Sequence, residues 1–243
     1  MEYNPEKASL LGVAFGSSVI LAIASLFATL FTLFSIKGSH TQSLLLAGNI
    51  LMIIHVLVKY TLIHFSIVQQ TFLSSSLFSC LVFVANVFAV IRTRKLLSPL
   101  FYKSSIFVIA LNSLVLVFYT PYSPIPLLVF GSCLLITSFF AYVFCFWCYF
   151  CIGKLIRSNP SSKHNKQQQR LERLSNAIVI LGGGSQIICI SLAFTQYNSF
   201  SVSFMALTLF FYSIAELLLE LNKHTHVVCH DITGMSRFNL QIN

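Results

Sequence analysis

Charge is what this sequence has least of. Only 9% of its 243 residues are Asp, Glu, Lys or Arg, while 56% are hydrophobic. A soluble domain carries roughly 25% charged residues. So few charges cannot cover a globule in water, and a bilayer must replace water over most of the surface. Acidic residues are scarcer still: six in all, with Asp231 the single aspartate. No HExxH, GxSxG or Walker-type sequence occurs. His55 and His64 share one apolar run but not one helix face, so a zinc hydrolase has no visible ligands. The chain reads as a non-enzyme without metal or cofactor.

Proline is nearly absent from the apolar runs. Only Pro126 falls inside one, in its first turn, where a helix tolerates it. None of the seven cysteines lies in an expected outer loop, which leaves no extracellular disulfide to expect. No long polar region is available for a soluble domain. The first apolar run is too long for the core of a cleaved signal and is expected to remain as a membrane helix.

Against these absences stand seven apolar runs near the length of about 20 residues that a spanning helix needs. They are residues 8–36, 43–67, 71–91, 104–120, 125–152, 176–194 and 200–221. Thirteen of the fifteen Lys/Arg fall at one set of ends: Lys37, Arg92 to Lys103, Lys154 to Arg173, Lys223 and Arg237. The opposite loops, 68–70, 121–124 and 195–199, carry no charge. Basic loops stay in the cytosol. The expectation is therefore an all-α integral membrane protein, a bundle of seven transmembrane helices with its N-terminus outside and its C-terminus cytosolic. Residues 1–221 form the membrane domain and 222–243 a cytosolic tail. The basic excess follows from topology, and no nucleic-acid partner is implied.

Ionisable residues inside a membrane helix are costly and mark candidate function. His55 and Lys59, four apart and on one helix face, are the candidate ligand-binding pair. Lys59 is expected about 12 Å below the outer end of its helix. Glu216, on the seventh run, lies about 12 Å deeper, too far for a direct pair, and is expected to snorkel to the cytosolic headgroups. Asn49 and Asn86 are expected at similar depth, placed to bond across a helix interface, with Asn112 and Gln186 as comparable mid-membrane polar groups. Gly12 and Gly16 form a GxxxG pair that invites close helix approach. Gly182, Gly183 and Gly184 weaken the sixth helix by roughly 1 kcal/mol each relative to Ala, and offer either a hinge or a close contact. Cys151 and Cys229 are candidate acylation sites. The tail residues His224, His226, Cys229, His230 and Asp231 match no standard zinc spacing. The polar, basic stretch 153–174 is the candidate surface for a cytosolic protein partner.

The seven helices, outside N-terminus and basic inner loops resemble the layout of G-protein-coupled receptors. The resemblance covers the whole chain and is architectural. The third run ends VFAVIRTRK without the acidic residue that precedes the arginine in common receptors, and NPxxY and CWxP are absent. What the resemblance implies is a divergent receptor-like protein sensing a small or lipidic ligand. The length and helix count also look like small sugar carriers built as three helices, a linker helix and three helices, although the PQ pairs of that family are missing. A non-catalytic accessory protein, binding membrane partners through its helices, is the remaining alternative.

Overall fold

The computed structural model describes residues 5–35, 40–61, 67–93, 99–117, 163–193 and 198–240, together with 195 and individual positions between 132 and 150. Among the described residues there is no strand, and the protein is an all-α helical bundle. Six helices have defined bounds: α1 Pro5–Ser35, α2 His40–Thr61, α3 Ile67–Thr93, α4 Pro99–Val117, α5 Lys163–Ala193 and α6 Asn198–Leu240. The described positions from 132 to 150 are helical.

Five helices are long and apolar enough to cross a membrane, over Ser9–Phe34, Thr41–Tyr60, Leu73–Arg92, Arg170–Ala193 and Ser199–Leu221. The apolar run of α4, Pro99–Leu111, is shorter. The chain is thus a multi-pass membrane protein. Large apolar side chains such as Ile20, Phe27, Phe34, Phe107, Phe140 and Trp147 point outward. This is the arrangement lipid favours, because lipid tails are as apolar as the side chains.

Several boundaries differ from expectation. Ile67, expected to end the second run, opens α3. Ile67 and Val68 are as apolar as the second run, so hydropathy does not assign them to one helix or the other. The fourth helix begins earlier than expected, at Pro99, which suits a first turn because its missing N–H is not needed there. The polar stretch before the sixth run is helical from Lys163. Within the basic segment 153–174, only the residues from Lys163 onward are described. The tail is helical as far as Leu240, continuing α6 without a break.

α6 is the central helix. It packs against α5, α1, α2 and α3, and Val202, Met205, Ala206, Leu209, Tyr212 and Ala215 are buried along one broad face. α1 meets it through a stripe of small residues: Ala14, Ser18, Ala22, Ser25 and Thr29, all buried. Small side chains let two backbones approach, which is how membrane helices gain packing contact. The GxxxG pair lies elsewhere. A Cβ at Gly12 or Gly16 would meet nothing within 4 Å, so those glycines do not mediate helix contact among the described residues. Spacing alone selected the wrong face of α1.

Hydrogen bonds fix the helix directions. Arg92, near the end of α3, bonds Ser175 and Asn176, on α5, and Glu216 on α6. Thr41, at the start of α2, donates to the same Glu216. These groups mark the basic end of the bundle. At the opposite end, Tyr60 Oη donates to the Ser199 carbonyl over 2.9 Å, joining the end of α2 to the start of α6. The Ser203 hydroxyl lies 2.9 Å from Ser17 and 3.0 Å from Ser18. Successive helices α1, α2 and α3 therefore alternate in direction, as do α5 and α6.

Candidate functional site

The interior face of α2 carries Met52, His55, Val56 and Lys59. Met52 and Val56 enter the main apolar cluster with Phe78, Leu81, Cys189, Ile190, Val202 and Met205. This cluster joins α1, α2, α3, α5 and α6 and meets His55 through Phe78. The His55 ring is 1% exposed and tilted against Phe78, with ring centroids 6.2 Å apart. Neither ring nitrogen has a hydrogen-bond partner among the described residues. An unmet buried donor or acceptor costs about 1–3 kcal/mol, so this imidazole stands out from its apolar surroundings.

Lys59 lies one turn further along α2, within electrostatic reach of His55 and of Cys189 on α5. The structure therefore keeps the two residues together, as the spacing requires. It changes their depth. Lys59 lies in the last turn of α2, two residues before Thr61, and so about 3 Å from the helix end. The expected 12 Å depended on extending that helix to Ile67. Tyr60, bonded to Ser199, and Cys189, whose thiol donates to the Ser201 carbonyl, are polar groups close by. The sequence reading missed both. Tyr60 adjoins Lys59 in the chain, but only folding brings Cys189 to it.

The other intramembrane polar groups are largely paired with one another. Asn49 does not reach Asn86. Its amide donates to Thr29 Oγ1 at 2.9 Å, and its Oδ1 accepts from Ser25 at 2.6 Å. Ser213 of α6 closes the group, 3.0 Å from Ser25 and 2.8 Å from Thr29. Asn86 instead accepts from Gln186 Nε2 at 2.9 Å, and Gln186 also donates to Ser138 at 3.2 Å. Equal depth on two helices says nothing about rotation about their axes, and the two asparagines face different neighbours. The side chain of Asn112 lies outside the described residues.

Glu216 is not a snorkelling headgroup contact. Its Oε1 lies 2.9 Å from Arg92 Nη1, with side chains only 8% and 7% exposed for Arg92 and Glu216. Arg92 was expected in a loop, but α3 runs on to include it. A carboxylate, the Ser175 hydroxyl and the Asn176 carbonyl oxygen accept from its two Nη groups, while Nε has no partner among the described residues.

Gly182 and Gly183 serve close contact. A Cβ on Gly182 would lie 2.5 Å from Tyr212 Cε1, and one on Gly183 would lie 2.8 Å from Tyr142 Cδ2, whereas Gly184 faces open space. α5 passes through all three as continuous helix. Gly48, which the sequence reading did not single out, is equally tight, 2.8 Å from Val84 Cγ1 on the same construction. The acylation candidates Cys151 and Cys229 and the tail residues His224, His226, His230 and Asp231 have side chains outside the described residues. Among the described residues no group of His, Cys, Asp and Glu could hold a metal ion.

Comparison with known proteins gives no relative: no family model matches the chain, and neither the curated proteins nor the solved structures yield a match.

Proposed function

We propose that the chain is a divergent seven-pass, receptor-like membrane protein that senses a small or lipidic ligand through His55 and Lys59. The observation that carries this reading is His55, a buried imidazole with both nitrogens unpaired among the described residues. The neighbouring polar clusters find partners within the bundle, so an unmet pair of ring nitrogens beside a lysine is the feature most in need of an external group. The reading assigns no catalytic step, metal or cofactor to the chain.

The contact pattern supports seven crossings. α3 ends at the basic end and α5 begins there, so the chain between them crosses an even number of times. α4 packs along α3 through Ile106 and Ile109. Ser138 sits beside Gln186, and Tyr142 beside Gly183, one turn nearer the basic end. Two crossings, one by α4 and one by the segment from 125 to 152, fit these positions. The positive-inside tendency then assigns the basic end to the cytosol, and His55 and Lys59 to the outer half. The basic stretch 153–174 becomes the surface for a cytosolic protein partner.

The close contacts at Gly48, Gly182 and Gly183 favour a second reading. A bundle this filled suits a non-catalytic accessory protein that binds other membrane proteins. One experiment separates the two. The full chain and Lys59→Met are purified in nanodiscs and screened for thermal stabilisation by small molecules and lipids. The receptor reading expects a compound that raises the Tm of wild type and leaves Lys59→Met unmoved at equal protein abundance. The absence of any such compound, with a stoichiometric membrane protein co-purifying with both forms, would replace it by the accessory reading.

A further inference from the structure

The chemistry of His55 restricts what could occupy such a site. A neutral imidazole has one N–H donor and one nitrogen acceptor. Both are buried and without hydrogen-bond partners among the described residues. A bare carboxylate offers only acceptors, so it would meet the N–H and leave the other nitrogen unmet. A hydroxyl both donates and accepts, and can satisfy that second nitrogen. Lys59, about 6 Å further along the helix axis, has a flexible four-carbon stem and three N–H donors, which suit an anionic oxygen group.

Phe78 sets the limit on the other side. Its ring lies tilted beside the imidazole and belongs to an apolar cluster with Met52, Val56, Leu81 and Val82. A ligand's carbon skeleton is favoured there, but a second charge is not.

We infer that the site takes a hydroxycarboxylate: an anionic carboxylate held by Lys59, with an adjacent hydroxyl donating to His55. This rests on the ligand-site reading above and gives it a chemical class. The proposed contact is non-covalent, so no bond is made or broken.

The test compares matched acids on the full chain in nanodiscs, with empty nanodiscs as the background. Lactate is paired with propionate, and 2-hydroxyoctanoate with octanoate, so a short and a long carbon chain are both covered. 2-Octanol supplies the hydroxyl without the carboxylate. In wild type, each hydroxy acid is expected to bind about tenfold more tightly than its plain counterpart, because a buried acceptor is left unmet in the latter. His55→Phe should erase that tenfold difference, and Lys59→Met should weaken every acid. The wild-type comparison decides the matter even where a variant fails to fold. Equal binding of the matched acids overturns the hydroxycarboxylate assignment while leaving an acid site. Failure of all the acids overturns it too; the ligand-site reading then survives only if another compound stabilises wild type and not Lys59→Met.

Discussion

Arg92 and Glu216, 124 positions apart in the chain, meet at 2.9 Å with both side chains buried. The pair ties α3 to α6, and Arg92 extends the connection to Ser175 and Asn176 on α5. Ser175 passes it back to α6 by donating to the Ala215 carbonyl at 2.6 Å. Three helices are thus fastened at one level by one guanidinium.

Removing either charge leaves the other buried. Arg92→Met or Glu216→Leu alone is expected to destabilise the protein by about 3–5 kcal/mol. The double variant should recover more than half of that loss, because no uncompensated charge remains. Thermal unfolding of the four proteins in detergent measures the cycle. Additive losses in the double variant would show that the two residues act independently.

The glycines of α5 should separate by position. Gly182→Ala places a methyl group against the Tyr212 ring and should cost about 1–3 kcal/mol. Gly184→Ala meets open space and should be neutral or stabilising by up to about 1 kcal/mol, from helix propensity. The Tm of each variant gives the order. If Gly184→Ala instead abolished a ligand response while keeping its Tm, the glycines would act as a hinge as well as a contact.

Asn49 sits in a cluster that is complete without a charge. Asn49→Leu removes the bonds to Ser25 and Thr29, and the expected cost is about 1 kcal/mol. Gln186→Leu should cost more, because it strips Asn86 and Ser138 of one common donor. Unfolding measured under identical detergent conditions ranks the two; a larger loss for Asn49→Leu would reverse the order.

Topology has its own test. A cysteine placed at Ser161 in a background cleared of reactive cysteines should be labelled by an impermeant thiol reagent only after cells are opened. Labelling of intact cells would put the basic stretch outside and invert the orientation.

The five long apolar helices could be read from the sequence, because length and apolarity decide whether a helix enters a bilayer. Arg92 shows where that logic stops. A charge looks like a loop residue until a buried carboxylate is found for it, and Glu216 lies too far along the chain to be recognised as its partner. Asn49 and Asn86 show a second limit. Their depths follow from counting residues, but the rotation that points one at Ser25 and the other at Gln186 depends on packing. The α1 seam was more accessible. Ala14, Ser18, Ala22, Ser25 and Thr29 recur every three or four residues, which marks one helix face, yet the more conspicuous Gly12 and Gly16 drew the reading to another. The nearness of His55 and Lys59 was legible because they stand four apart on one helix. Cys189 and Phe78 were not, since nothing in an apolar run identifies which of its members will stand near the lysine or the histidine.

α6 is one helix of 43 residues, about 64 Å long against a hydrocarbon core of about 30 Å. Its apolar span ends at Leu221, so the last nineteen residues, Asn222 to Leu240, add a rod of about 28 Å. The Arg92–Glu216 contact lies just before that rod begins. A tilt of about 10° pivoting there would carry the tip sideways by roughly 5 Å over that length. The length of the helix beyond the ion pair therefore magnifies any small adjustment between the packed helices into a larger displacement at its tip.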